Sequence, residues 1–202
     1  IPLLPAAKDL YSINLIAGQL VSVGLKNIGV GDLDVAILDS GGAVVATGAS
    51  GATNLDESIT NYAAPSPGTY YIQVTGGGNT DYRVLVTTGA ALDAEPNDSF
   101  AAAQPITGAK GVAGYTADSD YYSFAVNSGQ GILLITNTPG DGPNLPGNTL
   151  NPKLELYNPS GTLVASGLVL ADGRNEQISV TAAATGNYRV RVVAEDSLVP
   201  TS

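Results

Sequence analysis

Five oxygen-bearing side chains gather near the middle of the chain: Glu95, Asn97 and Asp98 in one short stretch, then Asp118 and Asp120 just ahead of an apolar run that begins at Tyr121. Calcium takes about six to eight hard oxygen ligands, commonly carboxylates and carbonyls drawn from a loop and a nearby strand end. Glu95, Asn97, Asp98, Asp118 and Asp120 are therefore candidate ligands of a Ca2+ ion, with Asp93 as an outer candidate. The same residue types also serve turns without any ion. Asn97 or Asp98 can cap a short turn over Ser99 to Ala103, Asp118 can stand solvated in a loop, and Asp120 can bond backbone amides at a strand start. Both readings stay open at the level of sequence.

Other chemistries are excluded by residue type. The chain contains neither histidine nor cysteine, which removes Ser-His-Asp and Cys-His machinery, histidine- or thiolate-held zinc and a disulfide scaffold. A two-carboxylate glycosidase needs its acids across a cleft, whereas the acids here sit mainly in turn contexts. No motif sets a Lys beside a Ser. Gly76-Gly77-Gly78 runs into Asn79-Thr80-Asp81 with neither a Lys nor a following helix, so it is a hairpin signal and not a phosphate cradle. The expectation is a chain without catalysis, or a non-catalytic fragment of a larger secreted hydrolase. A net charge of −10 with no Lys/Arg cluster argues against nucleic acid and against an anionic membrane surface. No apolar run approaches the roughly 18 residues of a membrane span. The chain opens at Ile1 with neither an initiator Met nor a signal-peptide pattern, which reads as a processed or excised piece of a longer exported protein.

The elements that must position these residues are written twice. Asp9-Leu10-Tyr11-Ser12-Ile13-Asn14-Leu15-Ile16-Ala17-Gly18-Gln19 returns as Asp120-Tyr121-Tyr122-Ser123-Phe124-Ala125-Val126-Asn127-Ser128-Gly129-Gln130. Gly42 to Gly48 returns as Gly161 to Gly167, and Gly68-Thr69-Tyr70-Tyr71-Ile72-Gln73-Val74 as Gly186-Asn187-Tyr188-Arg189-Val190-Arg191-Val192. A solenoid unit spans only about 20–50 residues, so a repeat this long means tandem domains. We expect a first domain over 1–90 and a second over 91–202. Short runs of alternating apolar residues, among them Leu20 to Leu25, Val35 to Leu38, Tyr70 to Val74, Tyr82 to Val86, Tyr121 to Val126, Gly131 to Thr136, Lys153 to Tyr157, Gln177 to Val180 and Tyr188 to Val193, read as half-buried strands. Asp39-Ser40-Gly41-Gly42 and Asn158-Pro159-Ser160-Gly161 read as hairpin turns. The fold class is all-β: two tandem antiparallel β-sandwich domains, jelly-roll-like.

The two copies are unequal. The second carries an insertion over Thr138 to Asn148 and an opening stretch before Asp120 that the first lacks. The first has a closing strand, Asp81 to Thr87, that the second lacks. A sandwich without an edge strand leaves backbone groups unpaired, so the gaps are expected to be filled by Ile1 to Lys8 and Leu198 to Ser202, or by neighbouring domains or subunits. Asp32 and Asp34 align with Asn151 and Lys153; a Lys in place of a carboxylate points to turn and edge solubility, not to a shared metal site. Tyr70, Tyr71, Tyr121, Tyr122 and Tyr188 recur at matching positions and read as ring packing with a wet hydroxyl. Tyr62, Tyr115 and Tyr157, near loops and strand ends, are the candidates for binding.

The order of signals in the second copy carries a family resemblance. Glu95-Pro96-Asn97-Asp98 leads to Gly114-Tyr115-Thr116-Ala117-Asp118-Ser119-Asp120-Tyr121-Tyr122-Ser123-Phe124, then Ser128-Gly129-Gln130, Asn151 to Gly161 and Gly186 to Val192. This resembles the bacterial pre-peptidase C-terminal domain, over nearly all of residues 93–193 and more weakly over 8–88. The resemblance implies a β-sandwich appended to secreted peptidases and other exported proteins, usually non-catalytic. It implies an accessory or adhesive role outside the cell or at its surface, spacing domains or attaching to polymers such as polysaccharide or collagen. Collagen-binding domains of clostridial collagenases are related and hold calcium near the equivalent of Glu95 to Asp98. In the resembling fold that segment lies beside the strand starting near Asp120, so the five candidate ligands would converge. The alternative is a structural subunit of an extracellular filament or surface layer, completed by strand exchange with its neighbours.

Overall fold

The computed structural model describes residues 8–52, 54–77, 80–106, 108–114, 118–138 and 150–195. Tyr115, most of the Thr138 to Asn148 insertion, and the terminal stretches 1–7 and 196–202 lie outside the described residues. Contacts divide the chain into two compact units, one of Ile1–Pro96 with Gly108–Gly114 and one of Asn97–Thr107 with Tyr115–Ser202. The sequence sets the division at 90/91. In the contact map residues 91–96 and 108–114 go with the first unit, because Ala91 to Asp93 hydrogen-bonds to Gly111 and Ala113.

The first unit holds β1 (Lys8–Leu15), β2 (Leu20–Asn27), β3 (Leu33–Leu38), β4 (Val44–Thr47), β5 (Glu57–Ala63), β6 (Gly68–Gly76), β7 (Tyr82–Thr88) and β8 (Ala91–Leu92). After β9 (Gln104–Pro105) of the second unit, β10 (Val112–Ala113) pairs parallel to β8. The remaining strands of the second unit are β11 (Ser119–Val126), β12 (Gly131–Ile135), β13 (Pro152–Tyr157), β14 (Leu163–Ser166), β15 (Leu168–Val169), β16 (Glu176–Thr181) and β17 (Gly186–Ala194). The fold is all-β, and no helix occurs among the described residues.

Each unit is built on a pair of sheets, to which the first adds the two-stranded β10-β8. In the first, β1-β6-β3-β4 faces β5-β2-β7. Alternation along β3 and β6 turns Leu33, Val35, Ile37, Tyr70, Ile72 and Val74 inward, where they meet Val21, Val23 and Leu25 of β2. Burial of such a side chain stabilises by roughly 1.5–3 kcal/mol, so this doubly lined layer supplies most of the unit's cohesion. In the second unit, β14-β13-β17-β11-β9 repeats the first sheet, with β9 added parallel to β11. β9 belongs to the opening stretch that the first copy lacks. The other sheet is β12-β16-β15. β12 thus has a neighbour on one side only among the described residues, where its counterpart β2 lies between β5 and β7.

Matching residues make matching turns. Asp39 Oδ1 accepts from the N–H groups of Gly41 and Ala43, and Asn158 Oδ1 from those of Ser160 and Thr162. Gly42 and Gly161 both adopt φ 83°, which a side chain would resist. Both hairpins carry a bulge, after Ile37 and after Leu156.

Candidate functional site

The chain enters the second unit at Asn97, beside the start of β11. Asn97 is fully buried, and its carbonyl accepts a hydrogen bond from the Tyr121 N–H at 3.0 Å. One turn follows, in which Ser99, by its carbonyl and its hydroxyl oxygen, accepts from the Ala102 N–H. Ser99 supplies the cap that the sequence offered to Asn97 or Asp98. Asp98 and Asp118 are both exposed, and a carboxylate oxygen of each lies within 4.8 Å of the other. Asp120 is turned inward and buried, in register with Val192 of β17.

Glu95 counts with the first unit, and its peptide bond to Pro96 is cis. Its N–H donates to Asn54 Oδ1 at 3.2 Å, and Asn54 Nδ2 donates to the carbonyl of Asp93 at 3.0 Å. A carboxylate oxygen of Glu95 lies within 4.8 Å of one of Asp93. The predicted ligands therefore stand as an exposed Asp98–Asp118 pair, with Asn97 and Asp120 buried in the same unit and Glu95 on the stretch of chain just before them. Two oxygens at about 2.3–2.6 Å from one calcium ion lie no more than about 5 Å apart, a condition that Asp98 and Asp118 meet. The donor set is wholly oxygen, as a hard divalent cation requires.

The first unit puts Asp9 in the place of Asp120 and uses it differently. The Tyr82 hydroxyl donates to Asp9 Oδ2 and lies 2.6 Å from the Tyr11 hydroxyl, tying β1 to β7. Burial, helped by Asp9 and Tyr11, pushes the Tyr82 hydroxyl well above its usual range. Asp32 and Asp34 are exposed.

One pair of charged residues escaped the sequence reading. Glu57 and Glu176 stand at equivalent places at the start of β5 and β16, and each reaches across to the facing sheet. Glu57 Oε2 accepts from the Val35 N–H at 3.4 Å, and Glu176 Oε2 from the Leu154 N–H at 2.7 Å. Gly48 and Gly167 leave the room: a Cβ on either would fall about 2 Å from the carboxylate. Burial raises the Glu57 pKa, the Val35 N–H opposes it, and the charges of Asp34 and Asp32 add to the rise. The signal was present, a Gly-x(8)-Glu spacing in both copies, but a lone acid at a strand start reads as a solvated edge.

Tyrosine splits by face. Of the five recurring tyrosines, Tyr70, Tyr122 and Tyr188 are buried, as the recurrence implied, whereas Tyr71 and Tyr121 are only half-buried. The Tyr70 hydroxyl donates to the Ser66 carbonyl and that of Tyr188 to the Ala184 carbonyl, four residues back in each case, a tyrosine-corner arrangement that pins the entry to β6 and β17. Tyr62 packs edge-on against Tyr70. Tyr157 instead joins an outward cluster on the second unit. Phe100 meets Tyr121 and Tyr157 at ring-centroid distances of 6.5 and 6.0 Å, and the Arg189 guanidinium lies 4.1 Å from the Phe100 centroid. Arg191 bonds Glu155 at 3.1 Å and Ser119 Oγ at 2.8 Å, while the Tyr157 hydroxyl donates to Glu155 at 2.7 Å. That hydroxyl, with help from Arg191 and against burial, holds the Glu155 carboxyl below its ordinary pKa.

These features define a class: a tandem β-sandwich protein whose repeated residues are framework and whose chemistry lies on its surfaces. The family model of the bacterial pre-peptidase C-terminal domain matches residues 7–76 and 118–194, and the chain belongs to that family, in two copies. It is a non-catalytic family of bacterial extracellular-type accessory domains. The Glu95 to Asp98 stretch falls between the two matched regions. A search of curated proteins finds no match. No helix among the described residues is long and apolar enough to cross a membrane.

Proposed function

We propose that this chain is a non-catalytic accessory and adhesive module of a secreted or cell-surface bacterial protein, holding an extracellular polymer or setting the spacing of neighbouring domains. The observation that supports it best is what the two copies share. The Gly-Gln turn, the Asx hairpin, the tyrosine corner and the cross-sheet glutamate are all framework, and none of them brings a nucleophile to a base. Ca2+ stiffens the second unit in this reading. Asp98 and Asp118 hold it from the surface, and Asn97 and Asp120 complete the protein's side of the site. The ion supplies charge neutralisation and a crosslink between the loop and β11. Co-sedimentation with insoluble collagen, cellulose and acidic polysaccharide, with and without calcium, tests the role. Retention on at least one polymer is expected, and failure to sediment with any of them would overturn the holding role and leave only the spacing one.

One observation favours a second reading, a subunit completed by its neighbours. β12 carries Leu133 and Ile135 at 62% and 54% exposure and pairs on one side only among the described residues. A strand from another domain or chain would cover its free edge as β7 covers β2. Light scattering over a concentration series discriminates. Strand exchange predicts oligomers that Leu133→Lys with Ile135→Lys dissolves, and a monomer at all concentrations contradicts it.

A further inference from the structure

The outward face of the β14-β13-β17-β11 sheet differs in kind from its counterpart in the first unit. Where the first unit sets Leu10, Ala36, Tyr71 and Gln73, the second sets Tyr121, Glu155, Arg189 and Arg191. Register aligns them in two rows across the strands, Glu155–Arg191–Tyr121 and Tyr157–Arg189–Ser123. Lys153 stands on the same face of β13, two residues before Glu155. Three of only eight basic residues in a chain of net charge −10 thus share one sheet face.

The two arginines are used differently. Arg191 is committed to Glu155 and Ser119. Arg189 lies on the Phe100 ring and, among the described residues, no carboxylate or other acceptor takes a hydrogen bond from it; its Nε is buried and unbonded. A half-buried guanidinium without a counter-charge is costly unless a ligand supplies one. Its planar fork matches a carboxylate two-fold, and stacking on the ring favours the orientation in which that fork is presented. Beside it, Phe100, Tyr121 and Tyr157 are half-buried, Phe100 standing edge-on to both tyrosines (76° and 80° between ring planes) and the tyrosine rings tilted at 40° to each other, an apolar flank for the C–H groups of a sugar.

We infer that this face of the second unit binds a carboxylate-bearing polysaccharide, with Arg189, held over Phe100, gripping the carboxylate and Tyr121 and Tyr157 contacting the sugar ring. The inference rests on the polymer-holding reading above and names its ligand class. Charge complementarity selects an anionic chain, and apolar ring edges and faces beside the guanidinium suit the C–H groups of a sugar ring.

Affinity electrophoresis of the whole chain in gels containing polygalacturonate tests it. Retardation is expected in polygalacturonate, with at least a tenfold weaker apparent affinity in its methyl ester, which keeps the sugar and removes the charge. Arg189→Gln should reproduce that loss on the unmodified polymer, whereas Arg83→Gln, an exposed arginine of the first unit, should leave retardation unchanged. Equal retardation by the acid and its ester overturns the proposal whether or not Arg189→Gln folds. So does stronger retardation by poly-glutamate, which would make the partner an acidic protein. Retardation of Arg189→Gln in polygalacturonate equal to that of the unsubstituted chain overturns this site while the holding role stands; failure of the unsubstituted chain to bind any polymer would remove both.

Discussion

The two units share a scaffold and diverge wherever the scaffold meets its surroundings. β2 of the first unit is enclosed: β5 and β7 flank it, and Leu55 and Leu92 lie against Gly24 on its outer side. β12 of the second has only β16 beside it among the described residues, with Leu133 and Ile135 facing out. On the opposite sheet the contrast reverses. Among the described residues β1 ends its sheet in the first unit, whereas β11 has gained β9 and the Asn97 carbonyl. The same residue, Asp9 or Asp120, is a tyrosine's acceptor in one setting and the buried end of an acidic loop in the other. Duplication kept what closes the sandwich and released what decorates it.

The framework half of that comparison can be broken by substitution. Glu176→Ala leaves the buried Leu154 N–H without its acceptor and should destabilise the second unit by about 2–3 kcal/mol. Glu57→Ala, whose bond is longer and less buried, should cost the first unit about 1 kcal/mol. Hydrogen exchange read by mass spectrometry would assign each loss to its unit, and equal losses would contradict the geometry. Tyr70→Phe and Tyr188→Phe each remove one corner hydroxyl and should cost about 1 kcal/mol apiece. A marked inequality between them would mean that the corner is not shared framework.

The smallest expected effect concerns acid, and its sign differs between the units. The Glu57 pKa is raised in the fold from an ordinary value of 4.5. As pH climbs through and above that value, the unfolded chain releases its proton before the folded one does, so the first unit loses stability. The Glu155 pKa is lowered. Its contribution is present above 4.5 and disappears as pH falls below it toward the folded value. Thermal melts of Glu57→Gln and Glu155→Gln between pH 3 and about 7 should flatten these two slopes separately; parallel profiles would refute the assignment.

Most of the strand framework was legible because alternation and turn chemistry repeat. Each predicted strand from Leu20 to Val193 is present within a residue or two of its expected ends, since Gly and Asp or Asn at the turns set register locally. The two-residue strands β8, β9, β10 and β15 were not legible, because so short a pairing leaves no period to read. The route of residues 108–114 into the first unit was hidden for a related reason: it is fixed by backbone bonds to Gly89 and Ala91, which no side chain announces. The acidic residues were legible as residue types, and only the family resemblance placed the segment after Glu95 beside the strand that starts near Asp120. The Arg189 cluster was not, since a sequence shows a tyrosine at strand spacing but not which face of the sheet it occupies or that Phe100 folds onto it.

The comparison is tested most directly by scanning calorimetry of the whole chain in millimolar calcium and in excess chelator, with Glu176→Ala marking the second unit's transition. Calcium should raise the second unit's melting temperature by several degrees and leave the first unit's unchanged, as binding to one native unit alone requires. Two transitions that stay put, or that move together, would contradict the claim that one fold, made twice, carries its cation in the second copy only.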